Sequence, residues 1–139
     1  MSPEPTPGID AAMVLGMAST AIPFARSREA EAERWLRILR LHGEAGAALQ
    51  ALGVSEAPLE PVYETGPGPD EFVPQGGDVV AAVSEAAIQQ AESRGARMVG
   101  TDDVLLAVMD IYGSDFNRVL HVHGTDRDEV LDRLRLEAA

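Results

Sequence analysis

Hydrophobic positions recur at helical spacing in two blocks of the chain, residues 9–57 and 78–138. Between the blocks, residues 58–77 contain five prolines and four glycines. Because proline lacks a backbone N–H and blocks helix continuation, this stretch is predicted to be a connector. Residues 1–8, with three prolines, are predicted to form a flexible, extended N-terminal segment. The two blocks and their connector are predicted to form a single domain over residues 9–138.

Four helices are predicted in the second block. Its first apolar stripe comprises Val79, Val80, Val83, Ala86, Ala87 and Ala91. Gly95, Gly113 and Gly124 stand where the first three helices would end, since glycine favours the left-handed conformation of a helix C-terminus. Thr101 and Thr125 precede the second and fourth helices and are predicted to cap them.

The first block repeats this plan at an offset of 69 residues, which becomes 71 after a small gap. The offsets place Val104–Val108 over Trp35–Leu39 and Leu120–Gly124 over Leu49–Gly53. Such a repeat predicts two similar helical units packed on each other, neither of them stable alone. The predicted fold class is therefore all-α, with two tandem four-helix-type repeats, pseudo-twofold symmetry, a degenerate first repeat and seven to eight helices in total.

The residues that carry the repeat resemble a known family. Val99–Val108, which reads V-G-T-D-D-V-L-L-A-V, resembles the V-G-T-E-H-L-L-L-A-L signature of the Clp repeat. The tail of that repeat is matched by Arg118-Val119-Leu120, Gly124 and Glu129-Val130. The aromatic-x-Pro sequence that opens the second repeat is matched by Phe72-Val73-Pro74. Gly43–Val54 resembles the end of a first repeat. From about Ile9 to Leu136 the chain thus resembles the N-terminal domain of ClpC-type and ClpA-type unfoldases. The resemblance implies a domain that receives substrates and adaptors.

Four departures from the family pattern shape this expectation. Pro23 interrupts the long first helix, and Glu31-Ala32 replaces the Gly-Thr pair before the second. Pro58 and Pro61 fall where the fourth helix of the first repeat would run, so that helix is expected to be absent or a single turn. The sequence contains no Walker A motif, so the resemblance is to the receiving domain without the ATPase modules.

The resemblance implies ligand-binding roles for three residues. In ClpC-type domains the acidic residue of each G-T-E-H motif is associated with recognition of phosphorylated arginine, and the matching positions are Glu33 and Asp102. A carboxylate can accept a guanidinium group in a bidentate manner. The alternative is that both are first-turn acids that only stabilise helix N-termini, by about 0.3–1 kcal/mol each.

Two aromatic residues complete the prediction. Phe72 matches the aromatic on the surface that receives cyclic peptide antibiotics and adaptors in ClpC-type domains. Alternatively, Phe72 anchors the connector in the groove between the repeats. Trp35, the single tryptophan, is predicted to lie in the core.

Composition narrows the classes of function. The chain has 11 basic and 23 acidic residues, a formal net charge of −12, and every basic residue is Arg. Such a surface disfavours binding to nucleic acid or anionic membranes. Cysteine is absent, which excludes disulfides, thiol nucleophiles and Cys-ligated metals. The absence of a leader and of a long apolar run predicts a cytoplasmic protein.

No catalytic residue, cofactor or metal is predicted. The common hydrolase, zinc-protease and dinucleotide motifs are missing from the sequence. His121 and His123 lie two residues apart on a predicted helix, so their side chains point in different directions and cannot hold one ion. Both are therefore expected to be structural or surface histidines.

The favoured function is a non-catalytic module that binds protein or peptide in the groove between its repeats, as an adaptor, competitor or decoy in Clp-dependent proteolysis. One alternative is sequestration of a cyclic peptide antibiotic that targets a Clp unfoldase. An alternative of another class is a structural domain that forms a homodimer, through apolar surface left by the missing fourth helix.

Overall fold

The computed structural model describes residues 5–22, 25, 27–54 and 76–138. In this part of the chain seven helices and two short strands follow one another in the order β1 (Thr6–Pro7), α1 (Ile9–Ala21), α2 (Arg28–Leu39), α3 (Gly43–Ala51), α4 (Gly76–Ser93), β2 (Met98–Val99), α5 (Thr101–Tyr112), α6 (Ser114–Val122) and α7 (Arg127–Ala138). The predicted all-α class with seven to eight helices is confirmed. Residues 58–75 of the predicted connector, including the position of a fourth helix in the first block, lie outside the described residues.

The two blocks pack on each other through equivalent helices. Helix α1 contacts α4, and α2 contacts α5. In addition, α2 packs against α6, while α5, the counterpart of α2, packs against α3, the counterpart of α6. Exchanging the two blocks maps these contacts onto each other, as the predicted pseudo-twofold arrangement requires.

One hydrophobic core extends through both blocks. Its largest fully buried side chains are Trp35, Phe116, Ile22, Leu36, Leu39, Leu49, Leu105 and Leu120. The prediction that Trp35 belongs to the core is confirmed, since its side chain is fully buried. The glycines predicted to end helices adopt positive φ angles, 72° at Gly95, 55° at Gly113 and 88° at Gly124.

A buried chain of hydrogen bonds links α2 to α5. The Trp35 indole N–H donates to the Tyr112 hydroxyl at 3.1 Å, and this hydroxyl donates to Glu31 Oε1 at 2.6 Å. Arg28 lies over the Tyr112 ring, 4.9 Å from its centroid, and donates through Nε to Asp115 at 2.9 Å. Burial raises the pKa of Glu31, and the hydrogen bond from Tyr112 opposes that shift. The polar groups thus satisfy one another inside the core.

The N-terminal segment pairs with the second block through a two-stranded parallel sheet. Thr6 lies beside Met98 and Pro7 beside Val99. The Thr6 N–H donates to Arg97 O at 3.2 Å, and the Gly8 N–H donates to Val99 O at 3.0 Å. Pro7 has no N–H to donate, which suits the edge of such a ladder. The described part of residues 1–8 is therefore extended and pairs with the second block, and the sequence pattern did not predict these strands.

Two helix starts differ from the sequence prediction. The Ser27 Oγ accepts from the Ala30 N–H at 3.0 Å, so α2 begins before the expected Glu31–Ala32 position. Glu33 consequently lies in the second turn of α2, and the prediction that it is a first-turn acid is wrong. Helix α7 is capped by Asp126 rather than by Thr125, since Asp126 Oδ1 accepts from the Glu129 N–H at 2.9 Å.

Thr101 caps a helix of the other block. The N-cap of α5 is Gly100, and the Thr101 Oγ1 instead accepts from the Ala45 N–H of α3 at 3.1 Å. Gly43 makes this contact possible: its φ is +59°, and a Cβ atom there would lie 2.5 Å from Thr101 Oγ1. The prediction that Thr101 caps its own helix is wrong, because the hydroxyl finds an unpaired N–H of α3 that only the folded chain brings near.

Replacing Gly43 with alanine is expected to lower the free energy of unfolding by about 2 kcal/mol. The new Cβ strains a left-handed backbone and displaces the Thr101 hydroxyl from the α3 N-terminus. Gly53→Ala is a matched control, since Gly53 also has a positive φ, 86°, but has open space where a Cβ would stand. Urea unfolding of both variants separates the cost of strain at a positive φ from the cost of losing the Thr101 cap. Equal losses of unfolding free energy in the two variants would contradict the role of Thr101 as a cap of α3.

Candidate functional site

Three helix N-termini meet at one open groove on the surface. The groove has a volume of about 470 Å³ and lies where α1, α3 and α5 begin. Its lining comprises Gly8, Ile9, Asp10, Ala11, Gly43, Glu44, Arg94, Met98, Val99, Gly100, Thr101 and Asp102. Both sequence blocks contribute to this lining, so the groove lies between the two repeats, where the peptide-binding groove is predicted.

The groove holds Asp102, one of the predicted ligand-binding residues. Asp102 lies in the first turn of α5, and its carboxylate is close to that of Glu44, which lies in the first turn of α3. Partial burial raises the pKa of the Glu44 carboxyl, and the nearby Asp102 raises it further. The two carboxylates come from different blocks, and Asp102 disfavours the charge of Glu44 while Arg94 favours it. A cation between them would relieve that repulsion.

The arginine of the groove makes its closest contacts with Asp103. Arg94 donates to both oxygens of Asp103, through Nε at 2.9 Å and through Nη2 at 2.6 Å. Asp103 is fully buried and also accepts from the Gly100 N–H at 2.9 Å, which fixes its position at the start of α5. These hydrogen bonds raise the pKa of Arg94, so its charge is retained. Arg94 Nη2 also lies 3.9 Å from Asp102 Oδ1, so this arginine pairs with both acids of α5. Its single positive charge faces four carboxylates, those of Asp10, Glu44, Asp102 and Asp103, so negative charge remains in excess at the groove.

Apolar side chains stand beside these charges. Ile9 is 81% exposed and Met98 is 57% exposed, at the ends of the elements that line the groove. The arrangement offers carboxylates for a cationic group and adjacent apolar surface for the aliphatic part of the same ligand. An arginine side chain, with its aliphatic stem and its guanidinium head, has that combination of properties.

Glu33, the second predicted ligand-binding residue, does not line this groove. It is 5% exposed, and its two carboxylate oxygens lie 2.9 and 3.1 Å from His123 Nε2. Burial raises the pKa of Glu33, and the hydrogen bond and charge of His123 oppose this shift. The structure therefore does not bring Glu33 and Asp102 together, and it places Glu33 in a buried pair that joins α2 to the end of α6.

The other predicted residues have different outcomes. Phe72 lies outside the described residues. His123 is the buried partner of Glu33, whereas His121 lines a second surface depression of about 480 Å³, together with Asp126 and Arg127. Within the described residues, no group of three metal-ligating side chains is close enough to hold an ion. None of the described helices has both the length and the apolar character needed to cross a membrane.

Sequence reasoning missed Glu44, Arg94 and Asp10 as groove residues. Each has a local signal, since Glu44 and Asp10 are first-turn acids and Arg94 precedes the glycine that ends α4. What the sequence lacks is any indication that three helix starts meet. That information is carried only by the long-range packing.

Comparison with known proteins adds no further assignment. No protein-family model, curated protein or solved structure matches the chain.

Proposed function

We propose that this chain is a non-catalytic peptide-binding module that takes an arginine side chain of a protein or peptide ligand in the groove at Glu44 and Asp102. The observation that carries the proposal is the pair of neighbouring carboxylates from two helix N-termini, with Arg94 already paired to Asp103. A guanidinium group can bridge two carboxylates through its several N–H donors. Nothing in the proposal requires a covalent step or a cofactor.

The resemblance to the Clp repeat supports a role for this module in Clp-dependent proteolysis. A binding module of this kind would act as an adaptor, a competitor or a decoy in Clp-dependent proteolysis. The net charge of −12 favours cationic ligands over anionic ones, through long-range attraction as well as at the groove. For that reason, we expect unmodified arginine to bind more tightly than phosphorylated arginine.

Calorimetric titration with three matched peptides tests the ligand class. The peptides share one sequence and carry arginine, phosphoarginine or citrulline at the central position. Citrulline keeps the shape of arginine without its charge, so binding is expected to weaken at least about tenfold, in line with the loss of a charge-assisted pair. Equal heat with the citrulline and arginine peptides, or no heat with either, would contradict the proposal. Tighter binding of phosphoarginine would assign the ligand preference of ClpC-type domains instead.

Substitutions at the groove test the residues. Asp102→Asn and Glu44→Gln are each expected to weaken binding of the arginine peptide at least about tenfold. Asp132→Asn is the matched control, since Asp132 is an exposed acid of α7 that pairs with Arg135 on the same helix and does not line the groove. Glu33→Gln is a second control, because Glu33 does not line the groove, and its binding affinity is expected to equal that of the unmodified protein. If Glu33→Gln alone weakened binding, the site would lie at the α2–α6 contact.

A further inference from the structure

The molecule contains a counterpart of the carboxylate pair in the groove, related to it by the exchange of the two blocks. Glu44 and Asp102 are the second residues of α3 and α5. The exchange maps α3 onto α6 and α5 onto α2, whose second residues are Asp115 and Glu29. The alignment of the repeat pairs Asp102 with Glu33, but by position in its helix the counterpart is Glu29. Each pair thus consists of one aspartate and one glutamate, on helices of different blocks.

An arginine of the chain itself bridges the counterpart pair, Glu29 and Asp115. Arg118 contacts Glu29 Oε1 through Nη1, and its Nη2 lies 3.4 Å from Asp115 Oδ1. Arg28 donates to the other oxygen of Asp115 at 2.9 Å. The two carboxylates therefore face two guanidinium groups, and their charges balance. Within this protein, two acids at neighbouring helix N-termini thus already hold a guanidinium group between them.

The groove lacks the bridging arginine. Helices α3 and α6 have equal lengths, and the offset of 71 residues places Ala47 at the position of Arg118. Ala47 is exposed and lies one turn after Glu44, just as Arg118 lies one turn after the acid of α6. Among the described residues, the arginine that acts on Glu44 is Arg94, and its closest contacts are with Asp103. The groove therefore has the acids of its counterpart without the cation between them.

We propose that the arginine of the ligand takes the place that Arg118 has in the counterpart pair. Its guanidinium group bridges Glu44 and Asp102, and its aliphatic stem crosses α3 at Ala47. This inference rests on the proposed function and adds the direction from which the ligand enters the groove. Bridging two carboxylates uses the divergent N–H groups of a guanidinium, whereas the ammonium group of lysine is a compact charge. We therefore expect a peptide with lysine at the central position to bind about tenfold more weakly than the arginine peptide.

Ala47→Arg tests this placement, because it supplies from α3 the arginine that the groove lacks. Residues three positions apart on a helix are neighbours, so the new side chain can reach Glu44. The variant is expected to melt about 2 °C higher than a control with the same added charge elsewhere. It is also expected to bind the arginine peptide at least about tenfold more weakly, because the tethered guanidinium repels the incoming one.

Two control variants separate the added charge from its position and from its bulk. Ala82→Arg adds the same charge at an exposed alanine of α4 that does not line the groove. Ala47→Gln adds a long uncharged side chain at the same position of α3. Both controls are expected to bind the arginine peptide within about twofold of the unmodified protein, as is usual for surface substitutions.

Thermal unfolding and calorimetric titration of these variants decide the placement. It would be overturned if Ala47→Arg bound the arginine peptide like the unmodified protein, if Ala47→Gln weakened binding equally, or if Ala47→Arg melted no higher than Ala82→Arg. In each of these cases, the arginine and citrulline peptides still decide the proposed function with the unmodified protein. If the unmodified protein bound neither peptide, both proposals would fail, and the melting temperature of Ala47→Arg would still show whether the groove accepts a guanidinium group.

Discussion

Replacing His123 with alanine is expected to lower the free energy of unfolding by about 3–5 kcal/mol, because it leaves a buried carboxylate without its partner. Both side chains of the pair are nearly inaccessible, 1% exposed for His123 and 6% for Glu33. The two oxygens of Glu33 share one donor, His123 Nε2. A loss of this size is at least about a fifth of the 5–15 kcal/mol that typically separates folded from unfolded domains.

The control for this prediction lies on the same helix. His121 is exposed and two residues away, so His121→Ala changes the composition in the same way but is expected to change stability by less than about 0.5 kcal/mol. Urea unfolding followed by the fluorescence of Trp35, the single tryptophan, measures both variants. Similar losses for His121→Ala and His123→Ala would show that the Glu33–His123 pair contributes nothing beyond the helix.

The destabilisation by His123→Ala is also expected to depend on pH. Burial already raises the folded-state pKa of Glu33 above its ordinary value of 4.5, and removing His123 removes two of the three influences that lower it, so that only the charge of Arg37 remains. A carboxyl whose pKa is raised by folding contributes most stability when it is protonated, and this contribution is lost as the pH rises through the folded-state value. The deficit of the variant should therefore be small near pH ~4 and grow toward pH ~7. A deficit that shrinks over this interval would contradict the assignment of the effect to Glu33.

Features that depend on neighbours along the chain could be predicted from the sequence. The stripe that begins at Val79 forms one helix, and Gly95 and Gly113 end helices as expected, because helix periodicity and C-terminal glycines are local properties. The 69-residue offset predicted two similar units, and the paired contacts of α2 with α6 and of α3 with α5 agree with it. The fold class could be predicted because the helical periodicity and the internal repeat each extend over many residues.

Features that depend on distant partners could not be predicted. Thr101 is a good N-cap by residue type, but its hydroxyl accepts a hydrogen bond from the N–H of Ala45, 56 residues away. Glu33 and Asp102 are equivalent in the repeat, yet one is buried against His123, 90 residues away, and the other lines an open groove. Aligning the two acids could not distinguish their roles, because the difference lies elsewhere in the repeat: Leu52 occupies the position in the first block that His123 occupies in the second. A difference at the partner, and not at the acid itself, separates the two roles.

Replacing Tyr112 with phenylalanine is expected to lower the free energy of unfolding by about 2–4 kcal/mol, although it removes only one hydroxyl group. That hydroxyl accepts from the Trp35 indole N–H and donates to Glu31, so its loss leaves a buried donor and a buried carboxylate unsatisfied together. Adding Glu31→Gln is expected to recover part of the loss, since a neutral amide is less unfavourable in the core than an unpaired charge. Urea unfolding of the two single variants and the double variant gives the coupling between Tyr112 and Glu31.

The same variant tests whether stability and binding use separate parts of the molecule. Neither Tyr112 nor Glu31 lines the groove at Glu44 and Asp102, so Tyr112→Phe is expected to bind the arginine peptide with unchanged affinity below its melting temperature. Glu44→Gln should behave in the opposite way, with weaker binding and no loss of stability, because it relieves repulsion from Asp102. If Tyr112→Phe weakened binding in the folded state, the contact of α2 with α5 would have to position Asp102. A neutral effect on unfolding would instead mean that water replaces the hydroxyl between Trp35 and Glu31.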